Sequence, residues 1–299
     1  MTLSTYLYRR PRLVLVLLLL PPALWLGVIY LGSLGALLVQ SLFHIDDFSG
    51  QLVTRPGIET LARLFSPTAR EVISRTALAA TIVTVLCALL GFPLAYYMAR
   101  YAGHRMKAVC YIAVMLPLWS NYLVRVTAWR LILAKEGVAS WFAAKTGLSG
   151  MLEFFLGLPG IGGPSLSSSA LGTVITFVYI WLPYMILPIQ AALERVPRSL
   201  VDASSDLGAR PTATFWRVIL PLAIPGIAAG SIFTFSLTLG DYIIPNLIGT
   251  SRPFIGQIVY QAQGTAGDIP FAAAFALVPI AIMAIYLMLV KRLGAFDAL

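Results

Sequence analysis

Long apolar runs alternate with short polar segments along this chain, and the lengths of the runs indicate how it folds. A helix needs about 20 predominantly apolar residues to cross the hydrocarbon of a bilayer, which is roughly 30 Å thick. Six stretches meet this condition, at about 13–42, 72–99, 108–133, 170–192, 222–248 and 271–290. The pattern predicts an all-α integral membrane protein with six transmembrane helices, in which residues 1–299 form a single transmembrane domain.

The segments between these runs predict structure at the membrane surface. Residues at about 43–71 are polar enough to leave the lipid and long enough to hold a short surface helix. In the segment 134–169, "GVASWFAAKTGL" has the pattern of a short interfacial helix anchored by Trp141 and Phe142. The glycines and prolines of "GLPGIGGPSLSSS" then predict a loop.

Composition supports the membrane class, and charge indicates an orientation. The chain is 59% hydrophobic and 11% charged, whereas about a quarter of the residues of soluble domains are charged. Its net charge of +9 would also suit a nucleic-acid-binding protein, but most basic residues fall in alternate polar segments. They are Arg9, Arg10, Arg12, Arg100, Arg105, Lys107, Arg195, Arg198, Arg210, Arg217, Lys291 and Arg292. Because positive residues collect on the inner side, both termini are expected in the cytoplasm, and no nucleic-acid partner is expected.

The motifs of common enzymes and metal sites are missing from the sequence. It contains neither a G-x-x-x-x-G-K-[ST] phosphate loop nor an H-E-x-x-H pair. Its two cysteines, Cys87 and Cys110, lie in or beside apolar runs, where they imply neither a disulfide nor a metal cluster. The chain is therefore expected to be no ATPase or other enzyme, and to use no cofactor or metal.

Prolines recur inside the apolar runs. Each one removes a backbone hydrogen bond and can kink its helix. They are Pro21, Pro22, Pro93, Pro117, Pro183, Pro188, Pro245 and Pro279. These positions favour a bundle that moves or lines a pathway, although proline is also simply commoner in membrane helices than in soluble ones.

The polar stretch "DASSDLGARP", residues 202–211, predicts two short helices joined by a glycine turn. Pro197 suits the first turn of a helix, Gly208 permits the left-handed conformation that ends it, and Pro211 precedes the second helix. Because Ala203 and Ser204 are small, another protein can approach this backbone closely. An ordinary interfacial loop would also be rich in glycine and proline, but the place of the stretch on the basic side favours a docking knob.

This stretch resembles the cytoplasmic signature of ABC importer permeases: Glu-Ala-Ala, three residues, Gly, nine residues, then Ile-x-Leu-Pro. The matching positions here are Asp202-Ala203-Ser204, Gly208 and Val218-Ile219-Leu220-Pro221, with Asp for Glu, Ser for Ala and Val for Ile. The resemblance implies the architecture of a type I permease, with a coupling loop at about 195–221 that docks an ATPase. The residues expected at that contact are Asp202, Ala203, Ser204, Asp206, Leu207, Gly208, Ala209 and Arg210.

Three further stretches resemble the spermidine/putrescine branch of these permeases: "LPLWSNYLVRVTAWRLIL", "WLPYMILPIQAALERVP" and "LGDYIIPNLIGT". The resemblance implies a transport subunit for a polyamine or a related amine in the bacterial inner membrane. The partners that it implies are two ATP-binding subunits, which hydrolyse the ATP, a second related permease, and a periplasmic or extracellular solute-binding protein.

Aromatic and charged residues inside the apolar runs are the candidates for a substrate pathway. They are Tyr122, Arg125, Trp129, Trp181, Tyr184, Asp241 and Tyr242. Aromatic faces attract cationic groups by about 0.5–2 kcal/mol each, although Trp and Tyr also collect at the outer membrane interface. Arg125 and Asp241 fall at similar depths, so either they pair with each other or they act on the substrate.

Two alternatives stay open at the level of the sequence. A secondary transporter driven by an ion gradient would share the kinked helices and the intramembrane charges, but it usually shows internal repeats, which are not apparent here. The small residues of "GIAAG", positions 226–230, form a surface for close helix packing, either with another subunit or within the chain.

Overall fold

The computed structural model describes residues 10–46 and 49–292, and most of them are helical. The elements are α1 (Pro11–Leu24), α2 (Leu31–Gln40), β1 (His44–Ile45), β2 (Leu52–Val53), α3 (Glu59–Arg63), α4 (Pro67–Arg100), α5 (His104–Trp119), α6 (Tyr122–Ile132), α7 (Val138–Lys145), α8 (Ser149–Gly157), α9 (Ala170–Arg195), α10 (Arg198–Asp206), α11 (Pro211–Thr214), α12 (Leu220–Gly240), α13 (Ile243–Leu247), α14 (Ile255–Gly264) and α15 (Ile269–Arg292). Two π-helical turns, Trp25–Tyr30 and Phe215–Ile219, join α1 to α2 and α11 to α12. A 3₁₀ turn, Leu166–Ser168, precedes α9.

Five continuous helical segments of the described chain are long and apolar enough to cross a bilayer. They are Arg12–Gln40, Pro67–Arg100, Ala170–Arg195, Pro211–Gly240 and Ile269–Arg292. The number becomes six when α5 and α6 are counted together as one broken span. The all-helical membrane class predicted from the pattern of apolar runs is therefore confirmed.

The third predicted span, 108–133, is not a continuous helix. It consists of α5 and α6, whose axes meet at an angle of 97°. Ser120 is extended and donates its hydroxyl to the carbonyl of Pro117, 2.8 Å away, while the side chain of Asn121 caps α6 by accepting from Leu123 N at 2.9 Å. Each of these residues satisfies one of the free backbone groups at its helix end, which favours a turn of the chain at this point.

The fifth predicted span, 222–248, also has different bounds. The helical run begins earlier, at Pro211, and ends at Gly240, after which Asp241 is extended and α13 starts as a separate short helix. Asp241 Oδ1 accepts from Ile244 N at 2.9 Å. A carboxylate at a helix start favours a new helix there, which explains why the apolar run is divided.

The core of the bundle is formed by α4, α9 and α12. The α9 side chains Phe177, Ile180 and Ile189 are fully buried in it. The backbones approach closely, because a Cβ on Gly226 would lie 2.6 Å from the Cβ of Ala192, and one on Gly230 would lie 2.7 Å from the sulfur of Met185. The small residues of "GIAAG" therefore pack against α9 of the same chain, which settles that alternative.

The remaining elements surround this core. The most apolar window of Arg12–Gln40 contains no buried residue, and the C-terminal part of that segment, α2, packs against α15. Strands β1 and β2 form a small antiparallel hairpin, which the sequence did not predict, and α3 is the short helix expected in this segment. The predicted interfacial helix is α7, on which Trp141 and Phe142 are exposed.

The two ends of the bundle differ in charge. Helices α4, α9 and α15 finish with basic residues, and Lys107 Nζ lies 2.6 Å from Glu194 Oε1, which joins the start of α5 to the end of α9. We call this the basic end and the opposite one the far end. Of the residues used to predict the orientation, Arg9 lies outside the described part of the chain, and which end faces the cytoplasm stays a prediction.

Candidate functional site

A compact knob, residues 198–210, projects from the basic end. Helix α10 finishes in a Schellman motif, because Gly208 N donates to Ser205 O at 2.9 Å and Ala209 N donates to Ser204 O at 3.1 Å. Gly208 has φ of +76°, a left-handed conformation that costs other residues about 1–2 kcal/mol. The glycine turn predicted at this position is therefore present.

The predicted contact residues of the knob are mostly open to the surroundings. Leu207 at its tip is 88% exposed, and no heavy atom would lie within 4 Å of a Cβ on Gly208. Ser204 and Ala209 are half-buried; the exposed ones are Asp202, Ala203, Asp206, Leu207, Gly208 and Arg210. Such a surface presents small, acidic and apolar groups together, which suits contact with another protein.

The expected second short helix of the knob does not exist as a separate element. Helix α11 continues through the π-helical turn Phe215–Ile219 into α12, so Pro211 to Gly240 is one run of 30 residues. The π turn, in which Leu220 N donates to Phe215 O five residues back, precedes Pro221, which has no N–H to donate. The hydroxyls of Ser204 and Thr214, 2.9 Å apart, attach α10 to this run.

A second site lies at the far end, where Tyr122 donates a hydrogen bond from its hydroxyl to Asp241 Oδ2. Residues 119 positions apart in sequence thus meet at the start of α6 and the end of α12. The other carboxylate oxygen of Asp241 accepts from Ile244 N. Within the described chain Asp241 has no cationic partner, so a half-buried carboxylate is held by neutral donors.

These residues line what we call the aromatic cavity, which has a volume of about 330 Å³. Its lining residues are Tyr122, Trp181, Ser236, Leu237, Gly240, Asp241, Tyr242 and Ile243. The rings of Tyr122 and Trp181 stack with centroids 5.7 Å apart and an interplanar angle of 19°. Aromatic faces beside an unpaired carboxylate form an environment that favours an organic cation.

The other predicted pathway residues lie at different distances from this cavity. Tyr184 contacts Trp181 edge to face at 5.8 Å but does not line the cavity. Trp129 packs against Tyr179, with centroids 4.9 Å apart, and does not line the cavity. The ring of Tyr242 stacks on that of Tyr260 at 4.8 Å, an aromatic partner that the pattern of apolar runs does not indicate.

Arg125 lies beside this site and makes no ion pair with Asp241. Its guanidinium carbon is 5.9 Å from the ring centroid of Tyr122. Its Nε and Nη1 atoms are buried, and neither has a hydrogen-bond partner among the residues described. The sequence left open whether Arg125 and Asp241 pair with each other or act on the substrate. The direct pair is absent, because the Asp241 carboxylate accepts a hydrogen bond from Tyr122 instead.

The chain matches a known protein family and is similar to known permease proteins. The family described as "Binding-protein-dependent transport system inner membrane component" matches residues 89–296. The chain is 55% identical to the inner membrane ABC transporter permease protein YdcU of Escherichia coli, over 99% of this chain and 95% of that protein. It is 27% identical to the spermidine/putrescine transport system permease protein PotB of Escherichia coli, over 91% of this chain and 90% of that protein.

A solved structure agrees with the fold. A chain of the bacterial alginate ABC transporter, in complex with its alginate pentasaccharide-bound periplasmic protein, superposes with a TM-score of 0.72. The match covers 98% of this chain and 96% of that chain at 14% sequence identity. At this identity the likeness concerns the arrangement of helices.

Proposed function

Because this chain belongs to the family of binding-protein-dependent transport system inner membrane components, we propose that it carries a solute, and that this solute is a polyamine or a related amine. The chain is a multi-pass inner-membrane permease subunit of an ABC importer, that is, a transport subunit.

The aromatic cavity carries the proposal about the substrate. The Asp241 carboxyl there has no cationic partner among the described residues, and it lies next to the rings of Tyr122, Trp181 and Tyr242. An amine entering the cavity would displace the Tyr122 hydroxyl or share the carboxylate with it, and the rings would stabilise the charge by about 0.5–2 kcal/mol each. The similarity to PotB, whose name states spermidine and putrescine, points to the same class of solute.

The proposed energy source, ATP hydrolysis by partner subunits, is inferred from the knob. Two ATP-binding subunits would bind it and its counterpart on a second, related permease, and they would hydrolyse the ATP. The basic end would then face the cytoplasm with both termini, in agreement with the positive-inside rule. A solute-binding protein on the opposite side would deliver the amine to the far end.

The helical run Pro211–Gly240 would connect these two activities. The knob precedes its first residue and Asp241 follows its last, so the run spans about 45 Å at 1.5 Å per residue. A movement of the knob would therefore act on the wall of the aromatic cavity through a continuous helix. This route requires no soluble domain in the chain.

Uptake into proteoliposomes that hold the complete complex tests the proposal. Radiolabelled putrescine should enter when ATP and the solute-binding protein are present, and a hydrolysis-deficient ATPase should stop it. If putrescine uptake continues with the hydrolysis-deficient ATPase but stops when an ionophore collapses the ion gradients, the chain would be a secondary transporter. ATP hydrolysis stimulated by the binding protein, with no entry of any polyamine, would keep the importer and reject the substrate.

A further inference from the structure

A second far-end cavity, which we call the polar pocket, has a volume of about 460 Å³ and shares helix α13 with the lining of the aromatic cavity. Four elements contribute to its walls: the end of α6, the 3₁₀ turn before α9, helix α13 and helix α14. Its polar side chains include Arg130, Ser167, Asn246, Thr250, Gln257 and Gln261. None of these residues belongs to the substrate pathway that the sequence indicated.

The walls of the polar pocket are attached to one another. Ser167 N donates to Leu133 O at 2.9 Å, and Gly249 N donates to Ser167 O at 3.0 Å. Gln257 is 8% exposed, and its Oε1 accepts from Phe254 N at 2.9 Å. The pocket is therefore preformed, and a ligand would not have to order the chain in order to bind.

Arg130 gives the pocket its charge. Its side chain is exposed, and it forms neither a hydrogen bond nor an ion pair with any residue that the structure describes. Two other far-end arginines differ from it in having acidic partners, since Arg63 pairs with Asp268 at 2.8 Å and Arg75 pairs with Glu71. Because the residues lining the pocket include no carboxylate, Arg130 and the neutral donors around it favour an anionic ligand.

The chemistry of the lining distinguishes a protein ligand from a small solute. Pockets for small molecules are mostly apolar with a few polar groups, whereas this one is lined mainly by hydroxyls, amides and backbone. Arginine is enriched in protein interfaces, and its guanidinium binds a carboxylate with two parallel hydrogen bonds. We propose that the polar pocket receives an acidic side chain of the solute-binding protein, an inference that rests on the proposed function of the chain as an importer subunit.

The pocket shares two elements with the aromatic cavity. Helix α6 carries Tyr122 at its start and Arg130 near its end, and Asn246 on α13 follows closely after Asp241. A carboxylate bound by Arg130 would therefore contact α6, which carries Tyr122, and lie near α13, whose Ile244 N donates to Asp241. Both helices thus connect the pocket to the hydrogen bond between Tyr122 and Asp241. Docking would occur next to the site that receives the amine.

The test measures the affinity of the purified solute-binding protein for the complete transporter in lipid nanodiscs. Arg130→Glu should weaken binding at least about tenfold, because a carboxylate would then face a carboxylate. Arg130→Lys should have an intermediate effect, since lysine cannot bind with two parallel hydrogen bonds. Arg70→Glu is the matched control: Arg70 is exposed at the start of α4 and does not line the pocket, so affinity should change less than about twofold.

A second series identifies the partner residue. Each acidic residue on the docking face of the binding protein is changed to arginine in turn. One of these binding-protein variants should bind the wild-type transporter weakly but bind the Arg130→Glu transporter with restored affinity. Wild-type affinity in Arg130→Glu, or the absence of any restoring variant, would overturn the pocket as a docking site while the importer function stands. An altered KM for the solute with unchanged affinity for the binding protein would also overturn it. A wild-type complex that binds no such protein would instead contradict the proposed function itself.

Discussion

The knob and the aromatic cavity lie at the two ends of the same 30-residue helical run, yet they are held in different ways. The knob is built from bonds between neighbouring residues, such as Ala209 N to Ser204 O, and the hydroxyls of Ser204 and Thr214 connect it to the long helix. The cavity depends on contacts between residues far apart in sequence, above all Tyr122 with Asp241.

This difference suggests how each region behaves when the bundle moves. A knob with local bonds keeps its shape whatever the helices do, which suits a part that another protein grips. A cavity formed by side chains from α6, α9 and the end of α12 changes whenever one of these helices shifts. The comparison predicts that variants in the knob abolish coupling while they preserve the substrate site, and that variants in the cavity do the reverse.

The largest effect is expected at the turn of the knob. Gly208→Trp places an indole at a left-handed position and in the groove of a partner, so uptake driven by ATP should fall to background. Since no neighbour would meet a Cβ there, the amount of protein in the membrane should stay near that of wild type, as measured by immunoblot. Gly208→Asn is the control and should keep most of the uptake, because asparagine tolerates this conformation.

Normal uptake by Gly208→Trp, with the ATPase still bound to the complex, would remove the knob from the coupling pathway. The cavity should be unaffected in this variant. Binding of the amine to the complex without ATP should therefore match that of wild type.

The second effect concerns the carboxylate in the cavity. Asp241→Asn removes the charge while its remaining side-chain oxygen can still accept from Ile244 N, so uptake of a cationic amine should fall by about 30-fold, which corresponds to about 2 kcal/mol. Asp268→Asn is the matched control, because it breaks the pair with the half-exposed Arg63 at the same end and should cost less than about threefold. Stimulation of the ATPase by the binding protein without solute should persist in both variants.

A charge exchange sharpens the same prediction. Arg125 and Asp241 form no ion pair, so Arg125→Asp combined with Asp241→Arg should not restore the transport lost in Asp241→Asn. Recovery in the double variant, measured as the initial rate of uptake, would indicate a structural pair and would exclude Asp241 as a ligand of the substrate.

A smaller effect is expected from the aromatic wall. Trp181→Leu removes the ring on which Tyr122 stacks, so the KM for the amine should rise by about three- to tenfold. Tyr184→Phe keeps its ring, and its hydroxyl makes no side-chain hydrogen bond to the described residues, so its KM should stay within about twofold of wild type. Unchanged kinetics in Trp181→Leu would separate the aromatic cavity from transport.

The smallest effect concerns the bond that attaches the knob to the long helix. Ser204→Ala removes a hydroxyl contact worth about 1 kcal/mol, so ATP-driven uptake should fall by about two- to fivefold. Ser205→Ala is the control, since the hydroxyl of Ser205 bonds only to Val201 O within α10 among the described residues. Equal rates for the two variants would show that this bond plays no part in transmission.

The knob could be predicted from the sequence because its determinants are local. Gly208 and Pro211 stop one helix and start the next whatever surrounds them. What the pattern did not show is that the second helix runs on into the membrane, because nothing between Pro211 and Gly240 ends it. The length of the apolar run 108–133 also did not predict the turn at Ser120 and Asn121, which are two polar residues within that run.

The cavity was only partly predictable. Tyr122, Trp181, Asp241 and Tyr242 were selected by residue type, and the structure brings them together. Their partners depend on which helices pack side by side, which apolar periodicity does not encode. For that reason Tyr122 rather than Arg125 takes the Asp241 carboxylate, and Trp129 lies against Tyr179 instead of in the cavity.

The central claim, that the knob binds an ATP-hydrolysing subunit, is tested most directly by cross-linking from its tip. Leu207→Cys places a thiol at an 88% exposed position, while the native Cys87 is fully buried and Cys110 half-buried. With a benzophenone maleimide on that thiol, irradiation of the complete complex should attach the chain to the ATPase. The same reagent on Ile161→Cys, an exposed position in the loop after α8, should not. A complex in which Leu207→Cys gives no ATPase adduct, although the ATPase remains bound, would contradict the account.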